Sequence, residues 1–286
     1  MEREIGIIGI GHVGSMLVQK FTEFNLFAEE NIYASNRTVE KLQSLKEKNP
    51  SINICTSVGE LAKKCSNIIL CVKPLDLPYV LLEIQPYIDE KTYLMVSTSM
   101  IKHEDIRKFH TGSITIFMPT LISMVNGGVS LVYHNEHVDE KKKEYFHKIL
   151  NPFSEIKVLG EEDINLSQNM TATFPGLYAE IMLEFVKAAS KRSKNVSDED
   201  LEHMLLVSLL GASRLLLEKN MSFEETIKRV STKGGTTNAG VTVLKKMLPE
   251  VFDATLDASI TRHDEMSNAV SNNIEELVSF KNREAI

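Results

Sequence analysis

Apolar positions change their spacing along this chain in a regular way. Short continuous apolar runs alternate with stretches in which apolar residues recur every third or fourth position, which is the difference between buried strands and one-sided helices. The runs EIGIIGI (4–10), NIYASN (31–36), SNIILCVKP (66–74), TYLMVSTS (92–99) and SITIFMP (113–119) predict strands, the third stopped by Pro74. INICT (52–56) could be a short strand. Between them, helical spacing falls on 12–24, 38–48, 57–65 with Ser57 as the cap, 75–88 and 103–109. GVSLVYH, DEKKKEYFHKILNPF and EIKVLG add a further strand, helix and strand. Strands alternating with helices at this interval predict a doubly wound α/β unit, a parallel sheet covered on both faces.

From Glu161 onward only helical periodicity is left. Helices are expected from Asp163 to about Lys191, from Ser197 to Lys219, from Ser222 to Val230, and from Thr237 to the end with a break at Pro249. The boundary therefore falls near Gly160. It divides a 1–160 sheet domain from a 161–286 all-helical domain. Within the latter, HMLLVSLLGASRLLLE (203–218) is apolar on nearly every face, so it must be covered all round, either inside its own domain or by a second subunit. It falls short of the roughly 20 residues that span a bilayer, and Arg214 interrupts it.

Composition narrows the partners. With 43% hydrophobic and 25% charged residues in 286, the chain is globular and long enough for two domains. A net charge of −7 argues against general binding to nucleic acid or an anionic membrane, since either needs a basic surface. A small-molecule partner is expected. The opening MEREIGIIGIG carries no secretory pattern, so a cytoplasmic location is expected. Cys55, Cys65 and Cys71 are odd in number and lack metal-binding spacing, which predicts reduced core thiols. His134 and His137 lie in YHNEHVDE and are expected to be solvated; no metal is expected.

The chemistry begins after the first strand. Gly9-Ile10-Gly11-His12-Val13-Gly14 gives G-x-G-x-x-G between a strand and a helix, the setting in which this pattern marks a Rossmann-type dinucleotide site. The first glycine permits the turn, the second lets a pyrophosphate approach, and the third admits close packing, while free amides at the helix start bind the anion. The second strand ends in Ser35-Asn36-Arg37-Thr38, with no carboxylate for a ribose hydroxyl. An arginine among small polar side chains suits a 2′-phosphate, so NADP(H) is expected over NAD(H). Val72-Lys73-Pro74 ends a later strand at the sheet edge where such folds bind ligands; a plain strand stop is the other reading.

Four segments in order, GIIGIGHVGSML, SNRT, CVKPLDL and KGGTTNAGVTVLKK, resemble the pyrroline-5-carboxylate reductase family over nearly the whole chain. That resemblance implies an N-terminal dinucleotide domain, a helical domain through which subunits interlock as homodimers, and reduction of a cyclic imine carboxylate to proline. It also gives the late glycine pair a purpose. Gly234 and Gly235 let a backbone come close to a substrate carboxylate, and Thr236 and Thr237 can cap the following helix and offer hydroxyls. Thr237 matches the family's hydroxyl residue near the substrate nitrogen, a candidate proton donor or orienting group; an ordinary N-cap is the alternative.

Several positions depart from the family pattern. Met118-Pro119-Thr120 replaces Met-Pro-Asn, and Ser97-Thr98-Ser99-Met100 stands where small residues are usual. Phe174 adds bulk in Ala172-Thr173-Phe174-Pro175-Gly176, and Lys233 replaces a proline before the glycine pair and adds a cation. These changes resemble the late-competence ComER-type branch, associated with developmental regulation in spore-forming bacteria. Three readings stay open: an NADPH-dependent pyrroline-5-carboxylate reductase, a reductase of another small imine or keto compound, and a regulatory paralogue that binds NADP(H) with little turnover.

Overall fold

The computed structural model describes residues 4–284. The sheet unit contains β1 (Ile5–Ile8), α1 (His12–Glu23), β2 (Ile32–Ser35), α2 (Val39–Lys48), β3 (Asn53–Ile54), α3 (Val58–Lys64), β4 (Asn67–Leu70), α4 (Leu77–Ile84), β5 (Tyr93–Val96), α5 (His103–Ile106) and β6 (Ser113–Met118). It continues through β7 (Val129–His134), α6 (Glu140–Leu150) and β8 (Glu155–Val158). Helices follow: α7 (Glu161–Gln168), α8 (Phe174–Ser190), α9 (Asp198–Lys219), α10 (Phe223–Val230) and α11 (Thr236–Glu284).

Eight strands form one sheet in the order β3-β2-β1-β4-β5-β6-β7-β8. The order reverses beside β1, which pairs with β2 through Ile7 and Ala34 and with β4 through Ile7 and Ile69. Every residue of β1, β4, β5 and β6 is buried, as a strand covered on both faces requires. Alternation then sends Ile5 and Ile7 to one core, with Leu17, Phe21, Phe117 and Phe146, and Ile8 to the other, with Leu61, Leu81, Leu94 and Ile116. β7 runs antiparallel to β6, and β8 follows β7, so the last two strands oppose the parallel set.

Helix starts follow side-chain caps. Ser57 accepts from the Glu60 amide, Asp139 from Lys142 and Ser197 from Asp200, and Ser222 with Glu225 completes a reciprocal capping box. Three expectations change. The strand expected to run to Pro74 ends at Leu70, and Pro74 instead opens a short 3-10 turn ending at Asp76. The single helix expected from Asp163 to about Lys191 is two, separated at 169–173, with Pro175 in the first turn of the second, where a missing amide costs no helical bond. Conversely, α11 passes through Pro249 unbroken. Its flanking turns are exposed, so water can satisfy the carbonyl that the proline leaves free.

Strand content ends two residues before Gly160, but grouping by contacts divides the chain differently. One compact unit comprises residues 1–174 together with 259–286, and the other comprises 175–258, so the division falls inside α11. The C-terminal part of α11 supplies Val270 and Ile274, both fully buried in the second core. It is fastened there by Ser271 Oγ donating to Asp105 Oδ2 at 2.6 Å and by His263 Nε2 at 3.1 Å from the Ser99 carbonyl. In unit 175–258, by contrast, no residue is buried. On α9 the apolar run is open, with Leu210 64% and Leu217 82% exposed. No helix among the described residues is long and apolar enough to cross a membrane.

His134 is not the solvated loop residue expected. It ends β7, with Nδ1 2.7 Å from Thr115 Oγ1 and its ring edge-on to Phe146 and beside His147. Burial pushes its pKa down to about 4, with His147 and Lys143 acting in the same direction. The unfolded chain therefore takes up this proton first as pH falls. The stability contributed by the neutral ring is complete above about pH 6.5 and is lost on the way to pH 4, by up to about 3 kcal/mol. Chemical denaturation of wild type and His134→Phe at pH 7 and pH 4 is expected to show a smaller acid loss in the variant. Equal losses would refute this placement of the ring.

Candidate functional site

The carboxyl ends of the parallel strands open onto a cleft of about 990 Å³. Gly11, His12 and Val13 line it after β1, Cys71, Val72 and Lys73 after β4, Ser97 after β5, and Pro119 and Thr120 after β6. This is the switch point, where β1's neighbours lead the chain to opposite sides and leave a crevice.

The β1–α1 turn explains its glycines one by one. Gly9 has φ +97°, and a Cβ there would lie 2.6 Å from the Cys71 carbonyl oxygen. A Cβ on Gly14 would drive into the Gly9 carbonyl. Nothing lies within 4 Å of a Cβ on Gly11, so that position faces free space that a ligand's phosphates can enter. The turn is held from both sides: the Gly9 amide donates to the Ser35 carbonyl at 2.9 Å, and the Cys71 amide to the Ile8 carbonyl at 2.7 Å. α1 opens without an acidic residue in its first turn, whereas α7 and α9 each carry three, so its positive end is left for an exogenous anion.

The segment after β2 divides its work. Asn36 accepts from the Ile10 amide at 2.9 Å and donates to the Thr38 carbonyl at 3.0 Å, so its side chain is spent on shaping the two turns. Ser35 is buried, and Thr38 stands at the N-cap of α2 without a side-chain cap bond. Arg37 projects outward, 84% exposed, with Asp76 its ion-pair partner at 3.5 Å. Asn36 and Arg37 line a second hollow of about 590 Å³ with Cys55 and Thr56.

Residues outside the motif complete the cleft. Lys20 is 2% exposed in α1, and its Nζ donates to Glu23 at 2.8 Å and to Asn126 Oδ1 at 2.5 Å. Asn126 is left-handed, φ +59°, and closes a 3-10 turn whose Leu121 and Met124 wall the cleft. A buried ammonium satisfied by two side-chain acceptors thus fixes that wall to α1. Cys71 has its thiol pushed up to about 12 by burial, partly opposed by a hydrogen bond with Ser97, so it stays protonated at neutral pH. Among the described residues no group of three or more His, Cys, Asp or Glu side chains is placed to hold a metal.

Of the residues singled out in the sequence, Gly11, His12, Val13, Val72 and Lys73 share the cleft, and Gly9 and Gly14 support it from below. Pro74 turns the chain away behind Lys73. Phe174 opens α8 and is 42% exposed. Lys233 to Thr237 belong to the 175–258 unit. There Gly234 has φ +78°, the Gly235 amide donates to the Thr232 carbonyl, and α11 starts at Thr236. Gly235, not a threonine, holds the position before the helix; Thr236 and Thr237 occupy its exposed first turn, again without an acidic residue. Lys20 was not among the expected site residues, and Ser97, Pro119 and Thr120 entered the sequence reading only as departures from the family pattern near the pocket. The last three directly follow strand ends, a position that marks ligand contacts in this topology even without a motif.

Glycine turn, switch-point cleft and helical continuation together define an NAD(P)-dependent oxidoreductase of the Rossmann type. Residues 4–100 match the family described as NADP oxidoreductase coenzyme F420-dependent, and residues 161–266 match pyrroline-5-carboxylate reductase dimerisation. The chain is 29% identical to pyrroline-5-carboxylate reductase 3 of Bacillus subtilis (strain 168) over 268 residues, covering 93% of this chain and 98% of that protein. It is 25% identical to ComE operon protein 4 of the same organism, covering 93% and 97%. In fold it matches Plasmodium falciparum pyrroline carboxylate reductase with NADP bound, at a TM-score of 0.80 and 22% identity over 95% of this chain and 99% of that one. By sequence and fold the chain is thus similar, over nearly its full length, to pyrroline-5-carboxylate reductases.

The glycine geometry makes a paired prediction. Gly14→Ala meets backbone that cannot yield and is expected to lower unfolding stability by about 1–3 kcal/mol. Gly11→Ala meets open space and is expected to change it by less than about 1 kcal/mol. Thermal melts of the two variants that coincide would contradict the packing described.

Proposed function

We propose that this protein is an NADPH-dependent reductase that converts 1-pyrroline-5-carboxylate to proline, acting as a homodimer. The observation that carries the reading is the glycine turn, open at Gly11 alone, in a chain related over nearly its full length to a pyrroline-5-carboxylate reductase. The turn fits a dinucleotide: amides of Gly11, His12 and Val13 receive the pyrophosphate, Arg37 with Ser35 and Thr38 beside it receives the 2′-phosphate, and Val72, Lys73 and Pro74 border the ring end. Asn36 acts at one remove, through the Ile10 amide.

Bound NADPH supplies a hydride to the imine carbon. The chain's own residues supply position and charge. Backbone amides at Gly234, Gly235 and Thr236 hold the substrate carboxylate, aided by the helix dipole and the Lys233 ammonium. The Thr237 hydroxyl orients the imine nitrogen and delivers a proton there, which makes the adjacent carbon more electrophilic. Phe174 limits the size of ring accepted. The open apolar surface of α9 and its neighbours is covered by the same surface of a second copy, because a segment of this length without one buried residue has no core of its own.

A second reading has its own support. The likeness to ComE operon protein 4, together with Ser99, Thr120, Phe174 and Lys233 at positions that depart from the reductase pattern, suits a regulatory paralogue that binds NADP(H) with little turnover. A reductase of a different small imine or keto compound is the intermediate case.

Oxidation of NADPH followed with pyrroline-5-carboxylate, beside a nucleotide titration, separates them. Turnover reduced at least about 100-fold by Thr237→Ala, with nucleotide affinity kept, is expected for the reductase. Tight NADPH binding without turnover of any small imine would replace it with the paralogue. For the assembly, light scattering is expected to give a dimer or a multiple of it, and Leu210→Asp to shift it toward monomer with loss of thermal stability. A stable wild-type monomer would refute the shared surface.

A further inference from the structure

The Arg37–Asp76 pair lies in a telling place. Arg37 follows β2 and Asp76 ends the 3-10 turn that follows β4, and β2 and β4 are the two strands flanking β1. A contact between them therefore bridges the carboxyl end of β1, over the turn that carries Gly9 and Gly11. Nothing acidic ends β2, and the Asn36 side chain is already engaged with Ile10 and Thr38. Asp76, 40% exposed, is thus a carboxylate within reach of the one exposed cation of that segment, supplied by the opposite loop. The pair is open to water at 3.5 Å, so its net worth is at most about 1 kcal/mol and a ligand can part it readily.

We propose that Asp76 sets how strongly this protein discriminates NADPH from NADH, a role that rests on the dinucleotide-binding reading above. A 2′-phosphate takes Arg37 from Asp76 and leaves two like charges near one another. A 2′-hydroxyl instead can donate to the Asp76 carboxylate while Arg37 keeps its partner. The residue does for NADH what a carboxylate at the end of β2 does elsewhere in this fold, and it blunts the preference for NADPH that Arg37 creates.

Calorimetric titration of wild type, Asp76→Asn, Arg37→Ala and the double variant with NADPH, NADH and adenosine 2′-monophosphate tests this. Asp76→Asn is expected to tighten NADPH and adenosine 2′-monophosphate by about 3- to 10-fold and to weaken NADH, with the gain shrinking in high salt. Arg37→Ala is expected to weaken only the two phosphorylated ligands, and the two substitutions to be non-additive for NADPH. An unchanged NADPH-to-NADH affinity ratio in Asp76→Asn, in a variant whose melting temperature matches wild type, would overturn the assignment. Wild-type protein that binds neither dinucleotide would overturn it together with the cofactor reading. A shifted ratio without turnover of pyrroline-5-carboxylate would leave it standing while the substrate reading falls.

Discussion

Three peptide segments crowd the carboxyl end of β1, and the nucleotide unit is arranged around that crowding. The Gly9 backbone passes against the Cys71 carbonyl, the first turn of α1 passes against the Gly9 carbonyl, and β2 is drawn to the same point by the Gly9 amide on Ser35. None of these approaches leaves room for a side chain at Gly9 or Gly14. Because they are met, α1 begins immediately beneath the sheet edge with its free amides directed outward, and the cleft exists. Asn36 and Lys20 extend the arrangement outward, one by pinning the Ile10 amide and the other by holding the 121–126 turn against α1.

The electrostatic design follows the same economy. Most helix starts in the chain are neutralised by their own acidic first turns, as at α7, α9 and α10. α1 and α11, like α4 and α8, carry no acidic residue in their first turns. In a protein of net charge −7 the open start of α1, with Lys73 lining the same cleft, and that of α11, with Lys233 three residues before it, are places where a small anionic ligand is favoured without a basic protein.

Much of this was legible in the sequence because it is local. The order of the strands, the Ser57 cap and the spacing of Gly9, Gly11 and Gly14 are set by neighbouring residues and are found as read. The reversed direction of β7 and β8 was not, since an apolar run carries no direction. Nor was the burial of His134, whose polar neighbours in YHNEHVDE conceal that Thr115 and Phe146 face it from across the sheet and from α6. Pro249 was read by its local penalty, which a long, exposed helix absorbs. Lys20 carries no local sign of burial; its acceptor Asn126 is 106 residues away. The return of α11 to the sheet left only a weak trace, Val270 and Ile274 four apart in a polar sequence.

That return fixes an order of events during synthesis. Residues 1–174 leave the ribosome long before Val270 and Ile274, yet those two side chains are buried in the same apolar cluster as Leu94, Ile106 and Ile116. The nucleotide unit is therefore interrupted by a guest of 84 residues (175–258) and is completed only when the C-terminal helix arrives. A chain cut off before residue 259 would leave that apolar cluster without Val270 and Ile274, so the first unit made is completed only by residues far downstream of it.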